Sequence, residues 1–456
     1  MNIPLSNRGY EERDLEHHFH GFSDIATLTK SGPVVIERGE GIRVFDTRGK
    51  SYLEANSGLW NFAAGFNHPE LIETAREQYT KFPGYHAFFG RVSDTAVELA
   101  ERVIDVSPFT AGKVFFTNSG SEANDTAVKM LWMIHQGEGN PKRRKIISRV
   151  NAYHGVTIAT ASMTGKPYND VFGLPLPEFL HTDCPHHWRF ATEGESEADF
   201  TARVAQSLES LIEQEGPDTI AGFFAEPVMG AGGVIVPSAG YFEAIQPILK
   251  RHQIPFIADE VITGFGRTGE LWGSTTFDIE PDVIIASKCI TAGYFPMGAV
   301  ILNDHMAQRL QTVSAAAEEF PHGFTSAGHP VGCAIANKAI ELIVDGGLFD
   351  NACMVSKSFH RCLDRYADHP HIGEIRGIGL MAALEVVKDK STKEPFGSQA
   401  NISERIANAA LAQGLICRPL GQAIVLCPPF IITDKEIDEL FERLDRAMES
   451  VFSNAR

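Results

Sequence analysis

The stretch Asp282-Val283-Ile284-Ile285-Ala286-Ser287-Lys288 decides the fold. Its centre is apolar and β-branched, the composition of a strand buried on both faces. Such a strand delivers its last side chain, here an amine, to the space beyond the sheet. Ile254-Pro255-Phe256-Ile257-Ala258 reads as a second buried strand and ends on Asp259-Glu260. An acid and an amine thus stand at the tips of two strands, where open α/β sheets assemble their sites.

Outward from this pair, helix and strand alternate. Lys113 to Thr117 reads as a strand and Glu122 to Met133 as a helix. Val204, Leu208, Leu211 and Ile212 share one helical face, and the strand Ile220 to Ala225 follows. A helix is expected near Tyr241 to Arg251, and a further strand over Met297 to Leu302. This order gives an α/β fold class, a mostly parallel sheet with helices on both faces. Nearer the start, Ser93 or Asp94 can cap a helix carrying Ala96, Leu99, Ala100 and Val103. Short strands are read at Pro33 to Ile36 and Ile42 to Asp46. Beyond about residue 336 the pattern changes to helices with separated strands, Leu380 to Leu384 and Ile424 to Leu426. The expected organisation is a large domain over 71–335, a smaller α+β domain over 336–456, and an N-terminal segment, 1–70, joining the smaller one.

Composition excludes several function classes. The 456 residues carry 40 Lys+Arg against 58 Asp+Glu, a net charge of -18 that repels nucleic acid and anionic membranes. No apolar run approaches the ~20 residues of a membrane helix, and the polar start lacks the core of a signal peptide. Seven cysteines without a CxxC pair suit a reducing compartment. A soluble, cytoplasmic protein with neither a nucleic-acid nor a membrane partner is expected.

Asn118-Ser119-Gly120-Ser121-Glu122-Ala123-Asn124 joins a strand to a helix. Ser119 and Glu122 fit a capping box, and Gly120 lets backbone approach a ligand. The segment is either a plain capped helix or a phosphate cup. Asp259 either ends a strand or pairs with a protonated pyridine nitrogen. Lys288 either snorkels at the surface or forms a Schiff base. Taken together the three fit pyridoxal 5'-phosphate, which needs a lysine, a carboxylate and a phosphate site.

Two other patterns are set aside. Gly264-Phe265-Gly266-Arg267-Thr268-Gly269 matches GxGxxG but lacks the strand-turn-helix context of a dinucleotide site. An NAD-dependent dehydrogenase would rest on that pattern alone. His181, Cys184, His186 and His187 fit no familiar zinc spacing and are read as an ordinary loop; His17, His18 and His20 are read as a solvated face. No metal is expected.

The segment Ile257-Ala258-Asp259-Glu260-Val261-Ile262-Thr263-Gly264-Phe265-Gly266-Arg267-Thr268-Gly269, followed by Lys288, resembles the signature of the class III aminotransferases, pyridoxal-phosphate enzymes of fold type I. The likeness extends over essentially the whole chain. Ala55-Asn56-Ser57-Gly58-Leu59-Trp60, Pro83-Gly84-Tyr85-His86-Ala87-Phe88-Phe89-Gly90-Arg91 and Leu415-Ile416-Cys417-Arg418-Pro419-Leu420-Gly421-Gln422 are similar to the (S)-selective ω-transaminases called amine:pyruvate transaminases. The resemblance implies a large domain around a seven-stranded sheet. It implies that Lys288 forms the Schiff base and shuttles the proton, and that Asp259 pairs with the ring nitrogen. Val261 and Tyr153 would cover the two ring faces, and Glu226 would order the surrounding polar groups. Gly120 and Ser121 would hold the phosphate, joined by Phe324 and Thr325 of the partner subunit. Ser326 departs from the family pattern, which often has an aromatic there.

A ping-pong cycle through pyridoxamine 5'-phosphate would then move an amino group from an amine donor to an α-keto acid, expected to be pyruvate. Phe22, Leu59, Trp60, Phe88, Phe89 and Tyr153 are the expected apolar wall, with core packing the alternative for each. Arg418 is the expected fork for the acceptor's carboxylate, on a loop between Gly414 and Gly421. The alternatives within the family are enzymes for ornithine, 4-aminobutyrate, beta-alanine or diaminopelargonate. The shared phosphate site implies a homodimer, with a tetramer left open.

Overall fold

The protein is described as a computed structural model over residues 9–453. Seven strands form its central sheet: β1 (Gly112–Thr117), β2 (Lys145–Arg149), β3 (Phe179–Thr182), β4 (Ile220–Ala225), β5 (Phe256–Asp259), β6 (Val283–Ser287) and β7 (Gly298–Asn303). They lie in the order β1-β7-β6-β5-β4-β2-β3. The five strands from β6 to β3 run parallel, whereas β7 is antiparallel to both β6 and β1. Every residue of β4, β5 and β6 is buried, as continuous apolar runs covered on both faces require.

Helices close the two faces. Ala123, Ala127, Leu131 and Ile134 of helix Gly120–Gly137 pack on one side. Phe200, Val204, Leu208 and Ile212 of Glu197–Glu215 pack on the other with Tyr241 and Ile245. Their spacings of three and four residues place each set on one face.

The remaining strands make two smaller sheets. Ile36–Glu40, Arg43–Asp46 and Ser51–Glu54 form an antiparallel sheet whose outer strand pairs in parallel with Leu415–Ile416. Segments far apart in sequence therefore share one sheet. Ile372–Ile378, Met381–Val386, Ala423–Leu426 and Arg418–Leu420 form the other. Helix Asp434–Ser453 lays Ile437, Leu440, Phe441, Leu444, Ala447, Met448 and Val451 onto the core.

Some elements differ from the sequence reading. The expected boundary at 335/336 falls inside helix Pro330–Val344, ten of whose residues are buried. The first strand begins at Ile36 rather than Pro33. β3, a four-residue edge strand, includes His181, which the sequence placed in a loop. Short edge strands with half-polar composition give little periodic signal. Among the described residues, no helix is long and apolar enough to cross a membrane.

Candidate active site

Parallel pairing aligns the carboxyl ends of three adjacent strands. Ala225 of β4 stands beside Ala258 of β5, and Asp259 beside Ile285 of β6. Glu226, Asp259 and Lys288 consequently emerge on the same end of the sheet.

Asp259 is held from several directions. Its Oδ2 accepts from Asn124 Nδ2 at 2.8 Å and faces His154 Nδ1 at 2.7 Å, while Oδ1 accepts, among the described residues, only the Val261 amide at 3.2 Å. Oδ1 keeps acceptor capacity beyond that amide among the described residues. Its neighbour Glu260 is also buried but turns away. It accepts from Thr263, Gly273 and Ser274, tying down the following turn. Burial pushes its carboxyl upward. Of the two consecutive acids, Asp259 is the one that faces Asn124 and His154.

Lys288 occupies the left-handed region at φ 47, an uncommon conformation for a residue with a side chain. Burial lowers its amine to about 8; Asp259 pulls it upward, and the Arg418 charge adds to the lowering. Its Nζ lies 5.5 Å from the centre of the Trp60 ring. Trp60 is itself left-handed at φ 65 and 1% exposed. The Arg418 guanidinium lies 5.4 Å from the same ring. The amine and the guanidinium thus both lie close to one indole.

Glu226 orders the loops beside Asp259. Its Oε1 accepts from the Tyr153 amide and Oε2 from the Gly230 amide, both at 3.0 Å. Burial raises its carboxyl. Tyr153 is half-buried beside these groups, and burial also raises its phenol, opposed by Arg418.

The helix starting at Gly120 is closely capped. Ser119 caps it by accepting from the Glu122 amide at 3.1 Å. The Glu122 carboxylate returns to the Asn118 amide at 2.7 Å, one residue before the cap, so the capping box is displaced by one position. A Cβ on Gly120 would come within 2.8 Å of Val261 Cγ2. Only glycine leaves that space clear. Gly155, at φ +134, closes the opposite wall, where a Cβ would meet Ser121 Oγ at 2.5 Å. A helix amino end lined by glycine and serine, a carboxylate with an open oxygen and a lysine amine match the phosphate, ring nitrogen and aldehyde of pyridoxal phosphate.

The other expected positions are scattered around this floor. Leu59 is 59% exposed and Phe89 82%. Phe22, also exposed, stands edge-on to Tyr168 at 5.6 Å. Phe88 is half-buried against Gly323. Phe324 and Thr325 lie in a turn; among the described residues neither bonds to Gly120 or Ser121 of its own chain. Arg418 begins the edge strand Arg418–Leu420 rather than sitting in a loop, because its neighbours pair with Ala423–Leu426. Oriented to satisfy both ends, the Asn56 amide accepts from Arg418 N at 2.8 Å and donates to Val425 O at 3.1 Å.

Sequence reasoning assigned no part to Asn124 or His154. Asn124 lies one turn after Gly120, so helical spacing directs it toward the same ligand side. His154 sits in a loop and carries no periodic signal. The dismissed cluster does disperse: His181 faces Met163 O, Cys184 faces Met229, His186 faces Glu374, and His187 faces Glu195 O.

The aminotransferase class-III family model matches residues 26–448. An aminotransferase from Vibrio fluvialis, solved in its PMP-bound form, is 58% identical with a TM-score of 0.97, over 98% of this chain and 99% of that one. An omega-aminotransferase from Paracoccus denitrificans is 59% identical with a TM-score of 0.98, over 98% of this chain and 100% of that one. The gamma aminobutyrate transaminase 1 of Solanum lycopersicum, a mitochondrial protein, is 41% identical, over 97% of this chain and 86% of its own length. The chain therefore belongs to the class-III aminotransferases and is a pyridoxal-phosphate-dependent transaminase of amine and ω-amino substrates.

Proposed function

We propose that this transaminase moves an amino group from an apolar primary amine to pyruvate. The observation that carries the reading is Arg418 over Trp60. Among the described residues no carboxylate pairs with this half-buried guanidinium, and burial disfavours its charge. A buried, unpaired cation invites a ligand carboxylate. Exposed Leu59 and Phe89 offer apolar surface to a donor that has no carboxylate. The neighbours described as ω-aminotransferases, at 58% and 59% identity, support this over the aminobutyrate transaminase at 41%.

Pyridoxal phosphate, when bound, supplies the electron sink that acidifies the Cα–H of the donor. Within this reading Lys288 Nζ anchors the cofactor and then takes and returns that proton. An amine lowered to about 8 is partly neutral near physiological pH, as a base must be. Asp259 keeps the ring nitrogen cationic, while Asn124 and His154 hold Asp259 in place. Val261 and Tyr153 flank the ring, Gly120 and Ser121 hold the phosphate, and Glu226 fixes the Tyr153 loop. Phe324 and Thr325 of the partner subunit would complete the phosphate site in a homodimer. The exposure of Phe22 and Phe89 in one chain supports such an assembly. Seven unpaired cysteines, all but Cys353 buried, support a cytoplasmic location.

The test is Arg418→Ala. The KM for pyruvate should rise roughly 10- to 100-fold, the ~1.5–3 kcal/mol of a charge-assisted hydrogen bond, with 1-phenylethylamine much less affected. Equal losses for the two substrates would refute the reading. A donor panel separates 4-aminobutyrate, whose use is favoured by the curated relatives: strict demand for a donor carboxylate would select it.

A further inference from the structure

The stretch His17 to His20, expected to be a solvated face, is unused by the reaction, yet it converges on one acid. Helix Tyr10–His17 carries Asp14 one turn before His18. The chain then leaves the helix and brings His20 back over the same carboxylate. Asp14 Oδ1 lies 2.9 Å from His18 Nδ1, and Oδ2 lies 2.6 Å from His20 Nε2. The two imidazole ring centres lie 4.6 Å apart, with the rings tilted by 45°. One donor atom from each of the three side chains lies within 4.8 Å of the other two.

A simple surface ion pair needs one imidazole. Two imidazoles across one carboxylate repel each other when both are protonated. A divalent ion placed among them satisfies all three groups at once. Two nitrogens and one carboxylate oxygen are a donor set for zinc-class ions, whose bonds of about 2.0–2.2 Å place tetrahedral ligands ~3.3 Å apart. The side chains are 19%, 66% and 26% exposed for Asp14, His18 and His20, so rotation can close the remaining distance and an ion has access.

We infer that Asp14, His18 and His20 form a surface site for a borderline divalent cation, independent of the transamination centre. On binding, each neutral imidazole moves its proton from the ligating nitrogen to its other ring nitrogen, and an imidazolium releases its proton to water. The ion would tie the end of helix Tyr10–His17 to the turn before Phe22, whose ring stands against Tyr168. The site therefore stiffens the segment that carries one of the apolar rim residues.

Calorimetric titration of Zn2+ into the untagged, cofactor-loaded enzyme tests the inference, together with His18→Ala, His20→Ala and His17→Ala. Wild type and His17→Ala should bind one ion per chain. His18→Ala and His20→Ala should weaken that binding by more than the ~10-fold that loss of even an outer partner costs. Zn2+ should also slow amide hydrogen exchange over residues 14–22 in wild type alone among wild type, His18→Ala and His20→Ala. No binding in wild type, or equal affinity across all three variants, would overturn it.

Discussion

The floor of the site and its rim are built on opposite terms. The floor, Glu226, Asp259 and Lys288, hangs from three adjacent buried strands and is bonded within one chain. The rim, Phe22, Leu59 and Phe89, is exposed and stands on backbone outside regular sheet. Phe22 and Phe89 are left-handed, at φ 51 and 57. Under the proposed function, the chemistry would be placed by the buried sheet, and the selection of substrate by segments that a single chain leaves open. Variation at the rim would then change what is accepted without disturbing how the proton moves.

If that contrast holds, floor substitutions act on kcat and rim substitutions on KM. The largest effect belongs to Lys288→Ala, which should lower turnover by more than about 10³-fold through loss of the base and anchor together. Single-turnover assays measure it, and residual activity near wild type would break the contrast. Asp259→Asn comes next, with a loss of roughly 10²-fold or more from removing a preorganised charge. His154→Phe should cost about 10- to 100-fold, the worth of a hydrogen bond to a charged group, with the loss in kcat and cofactor retention rather than in amine KM. Phe89→Ala should raise the aryl-amine KM by no more than about 10-fold, since only part of a ring's ~1.5–3 kcal/mol burial is at stake, and should leave kcat unchanged.

The floor also carries a pH signature. Lys288 is lowered to about 8 from the ordinary 10.5, and only its neutral form attacks an aldehyde. Reconstitution of cofactor-free enzyme should therefore accelerate as pH rises through about 8 and then level off. Between about 8 and 10.5 the folded chain binds fewer protons than the unfolded one at this residue, so its contribution to stability rises with pH across that window. Stopped-flow absorbance against pH checks the first expectation and denaturant titration the second. A rate still climbing near 10.5 would mean an unperturbed lysine.

The same contrast explains what the sequence made legible. Buried parallel strands read as short apolar runs, so β4, β5 and β6 and the residues at their ends stood out. The start of helix Gly120–Gly137 was visible through its cap and its glycine. What could not be read was whatever depends on contacts distant in sequence: the pairing of Leu415–Ile416 with Ser51–Glu54, or His154 reaching Asp259 from a loop. Arg418 was read into a loop because Pro419 and Gly421 break local patterns, yet pairing with Ala423–Leu426 makes it an edge strand, a position that tolerates proline. The histidines looked like a solvated face because helical spacing from Asp14 reaches only His18, while His20 returns through a turn.

The central claim is that the cofactor is joined to Lys288. Borohydride reduction of the cofactor-loaded enzyme, followed by digestion and mass spectrometry, tests it most directly. A reduced phosphopyridoxyl group is expected on the peptide containing Lys288 and should disappear in Lys288→Ala. An adduct on another lysine, or none on a protein that still transaminates, would contradict it.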